Sequence, residues 1–394
     1  MRTTIAAVAL SLASLTVLWV LTPPIAFNDG LGNDGKFYVA MTEALRGLPA
    51  DPPEAPFAYR LLPSALVALM PFEPRTGFLL VNIVSVIGSA VLLVRLLRRY
   101  GINGRFALLG VLSWLALPMG ARWDLYYPTL TDAVGFFLLM ALIVCALEER
   151  YILFAVALVA AVLTRENLII AIPFFWRAHL RAGPAKITAL VALASLPAMI
   201  VFFLVRAFPP LAPPADSANW LEAHHIWWNL ALIANNGEGH TWRYLLAAPI
   251  SLGLLLWIPI LRPHASASFL RREMHWTYFA LLAFLFAAIG GFDGDRYLYV
   301  LSPLLLILAF GVNRALWSSG VRVIVLTGLH FVALRVGWPI GSTEHDYLQY
   351  SIGYMDLERL GELAILTIVV FAIATVAPVL PSRAKALPSK ATSS

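Results

Sequence analysis

The chain has 394 residues, of which 60% are hydrophobic and only 13% are charged. Because soluble domains carry roughly 25% charged residues, this composition excludes an ordinary soluble globular protein. The net charge of +6 does not require a nucleic-acid partner, since excess Lys and Arg mark the cytoplasmic loops of membrane proteins. The single cysteine, Cys145, rules out a disulfide or a thiolate metal cage within one chain.

Apolar runs follow one another along most of the chain, and a run of about 18–20 residues can cross a bilayer as a helix. The runs are continuous rather than alternating, which disfavours a β-barrel. The sequence therefore predicts an all-α polytopic membrane protein with about 12 transmembrane helices, in a range of roughly 10–13. The runs lie near residues 4–21, 77–94, 106–119, 133–147, 151–164, 167–176, 187–205, 244–261, 276–290, 297–311, 321–338 and 361–380.

Two apolar segments receive a different interpretation. Run 4–21 ends before Pro23 and Pro24, and its length is typical of an uncleaved signal anchor. The stretch Leu61–Met70 is too short to cross the bilayer, so it is predicted to form a helix lying at the membrane interface.

Short loops rich in Arg and Lys, such as 95–105, fall on one side when the N-terminus is placed in the cytoplasm. This topology gives a single transmembrane domain, 1–380, with both termini cytoplasmic and a disordered tail at 381–394. The predicted outer loops are 23–60, 119–132, 207–243 and 337–360. Their tryptophans and tyrosines are typical of an interfacial aromatic belt, with stacking against sugar faces as the alternative.

Four polar segments share the predicted outer face, and each joins or ends an apolar run. They are 28–38, 121–132, 164–167 and 291–297. Charge at the mouth of a lipid-embedded bundle is costly and is usually kept for a function. The pattern indicates an active site at a membrane surface.

Asp34 stands in Asn33–Tyr38, directly after the first outer turn. Its carboxylate can serve as the N-cap of a helix running from Gly35 towards Leu45, and it can also accept a proton from an attacking hydroxyl. Asp29 is a weaker candidate of the same type. Arg60 offers a fork of donors suited to phosphate, although the residue taken alone favours a snorkelling interfacial anchor.

The segment 121–132 contains Arg122, Asp124 and Asp132. Asp132 or Thr131 can cap a helix beginning near Ala133, and Arg122 can pair with Asp124. Such neighbouring pairs are the structural alternative to a role in binding.

An adjacent cation and anion, Arg165 and Glu166, stand between two short apolar runs. They favour a polar pocket there, or else a tight loop.

Asp293 and Asp295 have the Asp-x-Asp spacing that a divalent cation can use, although an adjacent arginine can satisfy them instead. Arg296 stands near the predicted start of a helix, where the helix dipole favours anions. A positive charge at this position is unfavourable, which predicts an anionic partner for Arg296, either from the protein or from a ligand. No zinc-binding or nucleotide-binding motif is present in the sequence.

Taken together, four motifs resemble the GT-C superfamily of integral-membrane glycosyltransferases, which use polyprenyl-phosphate sugars as donors. They are NDGKFY around Asp34, PFAYRLLP around Arg60, TDAVGFF beginning at Thr131, and DGDRYLYVLSP around Arg296. The resemblance implies Asp34 at the reaction centre and Arg60, Arg165 and Arg296 on the donor phosphate. The chain departs from many members because its first acids, Asp29 and Asp34, are five positions apart, which leaves metal dependence open.

The expected activity is transfer of a sugar from a polyprenyl-phosphate donor to a hydroxyl of a glycan, lipid or protein acceptor, in cell-envelope polysaccharide biosynthesis. The expected place is the extracytoplasmic face of a bacterial inner membrane, and a single displacement would invert the anomeric carbon. A divalent cation is the one candidate cofactor. Further residues are expected to bind substrate: Asp29, Tyr38, Tyr59, Arg122, Asp124, Asp132, Glu166, Asp293 and Asp295.

Three alternatives remain. A transporter or flippase of lipid-linked saccharides would show internal repeats and midplane polar residues, whereas here the charge concentrates at one surface. A polysaccharide polymerase or ligase would use a lipid-diphosphate donor and have similar spans and loops. The loop carboxylates argue against a non-enzymatic scaffold.

Overall fold

The computed structural model describes residues 2–50, 53, 57–178, 183–207, 231, 234–235, 247–248, 251–256, 259, 262–289, 294–312 and 343. Within these residues, every regular element is a helix, as the sequence predicts. The α-helices are α1 Arg2–Leu21, α2 Gly35–Leu45, α3 Leu61–Ala68, α4 Pro74–Arg99, α5 Arg105–Leu115, α6 Trp123–Tyr126, α7 Asp132–Leu147, α8 Tyr151–Val162, α9 Ile172–Ala178, α10 Pro184–Ala207, α11 Pro263–Arg272, α12 Met274–Ile289, α13 Gly294–Leu298 and α14 Ser302–Ile307.

Shorter helical turns complete these elements. Turns of 3-10 helix are formed by Phe57–Tyr59, Glu166–Ala171, Gly253–Leu256 and Tyr299–Leu301, and π-helical turns by Pro118–Arg122 and Leu308–Val312. Tight 3-10 turns commonly connect or end α-helices, and here they precede α3, α9 and α14.

Helices α4 and α7 form the centre of the bundle. They pack against each other along much of their length, α1 and α5 pack on α4, and α8 joins α7 to α10. Helix α7 is apolar on nearly every side and most of its side chains are buried, which is the pattern of a helix enclosed by other helices. By contrast, α1 and α10 leave large apolar side chains such as Trp19 and Phe203 exposed.

Three helices of the described chain are long and apolar enough to cross a membrane: Arg2–Leu21, Pro74–Arg99 and Thr188–Ala207. A fourth span results if the bent pair Arg105–Leu115 and Met119–Tyr126 counts as one. The predicted number of about 12 spans therefore stays a prediction. Runs 321–338 and 361–380, the tail 381–394, and most of run 244–261 and of loops 207–243 and 337–360 lie outside the described residues.

The predicted run 106–119 is not one straight helix. Helix α5 ends at Leu115, and the chain bends by 46° before it continues towards Tyr126. Pro118 begins the π-helical turn, and the backbone of Gly120 is non-helical. The bend turns part of the predicted outer loop 119–132 into helix, and it directs Trp123–Tyr126 towards the start of α7.

Charged side chains lie at both ends of the central pair of helices. At the C-terminal end of α7, Glu148 pairs with Arg95 and Arg150. The opposite end of α7, at Asp132, receives polar side chains from several distant segments.

Candidate active site

The first residue of α7 anchors two arginines from other parts of the chain. Arg165 donates from Nη1 to Asp132 Oδ1. Arg296 donates from Nη2 to Asp132 Oδ2 at 2.6 Å and from Nε to Oδ1 at 3.4 Å. The three side chains are 11%, 11% and 7% exposed. Such charge-assisted contacts in a sheltered setting are strong and fix the position of each partner.

This arrangement corrects the prediction that Asp132 or Thr131 caps the following helix. The helix begins at Asp132, one residue before the predicted start, and the Thr131 side chain makes no capping hydrogen bond. The Asp132 carboxylate instead points to guanidinium groups, because two charged donors hold a buried carboxylate more strongly than backbone N–H groups do. The anionic partner predicted for Arg296 is therefore a protein residue.

A small cavity lies behind Asp132. It measures about 10 Å³, enough for a single water molecule, and its polar lining includes Asp124, Asp132 and Ser89. Asp124 is 5% exposed and accepts a backbone hydrogen bond from Ala133. Its Oδ1 has no hydrogen-bond partner within the described residues. Asp124 is thus a second carboxylate beside the Asp132 cluster.

A second ion pair joins Arg60 to Glu166. Arg60 Nη2 lies 3.5 Å from Glu166 Oε1, and its Nη1 donates to the hydroxyl of Tyr38 at 3.1 Å. Leu62 N donates to Leu163 O at 2.9 Å, which holds the start of α3 against the turn that carries Arg165 and Glu166. Burial opposes the charge of Arg60, but Tyr38 and Glu166 outweigh it and raise the pKa of the guanidinium well above its usual value.

Asp34 stands at the N-terminus of α2, and the helix begins at Gly35 as predicted. The capping prediction is wrong in its chemistry, because the Asp34 side chain makes no capping hydrogen bond. The hydroxyl of Tyr127 accepts instead from Asp34 N at 2.7 Å and from Gly35 N at 3.1 Å. The carboxylate of Asp34 is therefore not committed to capping its own helix.

Tyr127 lies within the electrostatic influence of both Asp34 and Arg296. Burial, followed by the negative charge of Asp34, raises the pKa of Tyr127 well above its usual value, while the Arg296 charge acts in the opposite direction. The phenol therefore stays neutral, and its oxygen remains an acceptor for the two backbone donors.

The other residues predicted to bind substrate fall into three groups. Tyr59 lies beneath the guanidinium of Arg206, 4.2 Å from the ring centre, and it is buried. Asp29 lies in the turn before α2, and Arg122 lies directly before α6. Asp293 and the side chain of Asp295 lie outside the described residues.

Three residues near the cluster were not singled out from the sequence. Tyr127 joins two loops, Arg206 at the end of α10 acts electrostatically on Glu166, and the ring of Trp123 lies 5.8 Å from the Arg296 guanidinium. Only Tyr127 carried a sequence signal, since it follows Tyr126 in a polar segment. Nothing local distinguishes Arg206 from a basic residue at a helix end.

Within the described residues, no group of three or more His, Cys, Asp or Glu side chains is arranged to hold a metal ion. The Asp-x-Asp pair that suggested a divalent cation lies outside the described side chains. The chemistry offered by the described cluster is that of carboxylates able to move a proton and guanidiniums able to hold an anion.

Comparisons with known proteins give a weak likeness to a solved structure. No protein-family model matches the chain, and no curated protein does. Among solved structures it is similar to the archaeal oligosaccharyltransferase AglB from Archaeoglobus fulgidus, solved in complex with an inhibitory peptide and a dolichol-phosphate. The TM-score is 0.47 and the identity 12%, over 94% of this chain and 56% of that one. The chain thus spans little more than half of that protein, and at this TM-score the likeness carries no argument.

Proposed function

We propose that this protein is an integral-membrane glycosyltransferase that moves a sugar from a polyprenyl-phosphate donor to an acceptor hydroxyl. The observation that carries the proposal is the meeting of polar side chains from five segments at one end of the bundle, with the Tyr38 hydroxyl from α2 and acids or guanidiniums from the other four. The segments are the start of α2, the start of α3, the start of α7, the turn before α9, and α13. Charged side chains within a membrane protein cost free energy, and they are usually kept for a function.

The guanidiniums suit the anionic half of the reaction. As the bond between sugar C1 and phosphate oxygen breaks, its electron pair passes to the phosphate, and negative charge grows there. Arg165 and Arg296 are held by Asp132, so both guanidiniums are fixed in position before the reaction begins. Donors fixed in advance stabilise the developing charge with little reorganisation.

Arg60 is the arginine with the looser protein contacts. Its distance to Glu166 is 3.5 Å, and its Nε has no hydrogen-bond partner within the described residues. A phosphate offers the bidentate acceptor that a guanidinium fork matches. We therefore assign Arg60 to direct phosphate contact, and Arg165 and Arg296 to a shared electrostatic role.

Asp34 is the proposed general base. The acceptor oxygen would attack C1 while its proton passes to the Asp34 carboxylate, and a single displacement of this kind inverts the anomeric carbon. Asp34 suits this role because its helix is capped by Tyr127, and because it is partly exposed.

The test is Asp34→Asn in purified protein supplied with polyprenyl-phosphate sugars and acceptor glycans. We expect transfer to fall by at least about 100-fold, since a positioned base contributes roughly 10²–10⁴, while thermal unfolding in detergent stays unchanged. Glu43→Gln, which neutralises another carboxylate of α2, is the matched control, and it should retain most of the activity. Near-normal turnover of Asp34→Asn would remove Asp34 from the reaction.

A further inference from the structure

The turn before α2 holds an unfavourable backbone conformation. Asn28 and Asp29 have φ of 51° and 55°, followed by Gly30 at 78°. Residues other than glycine rarely adopt this left-handed region, and they persist there only when surrounding contacts hold them. Within the turn, Asn28 Nδ2 donates to Gly32 O at 2.9 Å. The segment 28–34 therefore needs support from outside itself.

Support comes from the segment 126–129, about 90 positions later in the chain. Tyr127 accepts from the N–H groups of Asp34 and Gly35. Two further bonds reinforce this contact, from Ile25 N to Tyr126 O at 2.9 Å and from Thr129 Oγ1 to Leu31 O at 3.4 Å.

Gly35 makes the close approach of the two segments possible. A side chain at position 35 would overlap the Thr129 hydroxyl and meet the Tyr127 ring. The start of α2 thus rests directly on the Tyr127 segment, with no side chain between them.

Tyr127 also lies close to the arginine cluster. It is fully buried, and its ring centre lies 6.2 Å from that of Trp123, whose ring lies 5.8 Å from the Arg296 guanidinium. The Tyr127 hydroxyl therefore meets the N-terminus of the helix that carries Asp34, while its ring packs beside a residue that contacts the cluster. Because the first N–H groups of a helix have no partner within the helix, this contact fixes where the helix begins and where Asp34 stands.

We infer that Tyr127 is a positioning residue: its hydroxyl holds the strained turn 28–34 and the start of α2 so that Asp34 faces the arginine cluster. Tyr127 takes no proton itself, since its phenol stays neutral. This inference rests on the proposed function for its kinetic consequence, but the anchoring of the turn can be measured without any substrate.

The experiment compares Tyr127→Phe with Tyr100→Phe. Tyr100 is the matched control because its hydroxyl also accepts an N–H bond, from Trp276 Nε1 at 2.7 Å, and it belongs to α4's C-terminal end, away from the cluster. Hydrogen–deuterium exchange is followed in peptides covering 28–38. We expect exchange there to rise about tenfold in Tyr127→Phe, since the backbone N–H groups of Asp34 and Gly35 lose their acceptor, and to stay unchanged in Tyr100→Phe.

A second variant retains the Tyr127 phenol and displaces the start of α2 instead. Gly35→Ala pushes the start of α2 away from Thr129 and Tyr127, so it should raise exchange in the same peptides. If Tyr127→Phe does not fold, Gly35→Ala alone decides whether the contact anchors the turn. Exchange within twofold of wild type in the variants that fold would overturn the inference.

The kinetic measurement separates positioning from general packing. Tyr127→Phe should lower kcat at least tenfold while the donor KM changes less than about threefold, because a displaced base affects the chemical step more than donor binding. Raised exchange with wild-type kcat would overturn the positioning role. If the wild-type protein transfers no sugar from any donor tested, the proposed function fails, and the exchange result still decides whether Tyr127 anchors the turn.

Discussion

Asp132 and Glu148 make the same kind of ion pair in different surroundings, and their comparison shows how burial changes such a pair. Each carboxylate is bound by two arginines at an end of α7. The arginines of Glu148 are 46% and 50% exposed, whereas those of Asp132 are 11% and 7% exposed. Water screens the first set and leaves the second dependent on its protein partner.

The comparison gives a prediction for two isosteric substitutions. Asp132→Asn leaves two sheltered guanidiniums without their anion, so the free energy of unfolding should fall by about 3–5 kcal/mol. Glu148→Gln should cost less than about 1 kcal/mol, the usual value for exposed pairs. Equilibrium unfolding in detergent micelles measures both. Equal losses in the two variants would show that the Asp132 cluster is as open to water as the Glu148 pair.

At the scale of elements, the short helix α3 depends on a side chain from α2. The guanidinium of Arg46 donates to the carbonyls of Val67, Met70 and Phe72 at 3.0, 2.9 and 2.8 Å, and to Ala68 at 3.4 Å. The last carbonyls of a helix have no partner within it. The planar guanidinium of Arg46 thus supplies hydrogen bonds to the C-terminal end of α3 and to the turn into α4.

Removing this fork should loosen that end of the helix. Arg46→Ala is expected to cost roughly 1–3 kcal/mol, the usual penalty for polar groups left without partners, and to speed hydrogen exchange in peptides covering 61–76. Arg46→Lys keeps the charge but not the fork, so it should recover only part of the loss. Lys36→Ala, at an exposed position of α2, is the control. Equal stability of Arg46→Ala and Lys36→Ala would contradict the role.

The ends of a helix could be predicted from the sequence where charged residues flank an apolar run. The predicted run 133–147 corresponds to helix Asp132–Leu147, and 151–164 to helix Tyr151–Val162, because Asp132, Glu148 and Arg150 interrupt the apolar sequence. The bend after Leu115 was not readable. Hydrophobicity continues through Pro118 and Met119, so the run looks unbroken although the backbone changes direction at Gly120.

From the sequence it was possible to select the loops of the candidate site, but not to predict which of their side chains form pairs. Sequence neighbours suggested that Arg122 satisfies Asp124 and that Asp132 caps its own helix. The structure pairs Asp132 with Arg165 and Arg296, which are 33 and 164 positions away. Partners at such separation are chosen by tertiary packing, to which local propensity is blind. The bond from Tyr127 to the start of α2 was missed for the same reason.

At the scale of the whole molecule, the two charged ends of the bundle are closer together than the membrane is thick. Helix α7 has 16 residues, so its length is about 24 Å at 1.5 Å per residue. The hydrocarbon core of a bilayer is about 30 Å thick. If α7 crosses the membrane, at least one of its ends must lie below the headgroups or distort the bilayer locally. A recessed Asp132 end would bring the arginine cluster to the depth of a lipid phosphate.

The orientation of the bundle can be tested with single cysteines. The end at Glu148 also carries Arg95, Arg98 and Arg99, so the positive-inside rule predicts that this end lies in the cytoplasm. In a Cys145→Ser background, Asn33→Cys should react with a membrane-impermeant maleimide in intact cells stripped of any outer wall.

Asn103→Cys is the partner measurement in the same background. Both asparagines are exposed, one in the turn before Asp34 and the other in the turn between α4 and α5, so reactivity differs only by the side of the membrane. Asn103→Cys should label only after permeabilisation. Labelling of Asn103→Cys in intact cells, with Asn33→Cys protected, would place the carboxylate and arginine cluster in the cytoplasm. A donor presented at the outer surface could not reach it there, and the proposed transfer would have to use a cytoplasmic donor.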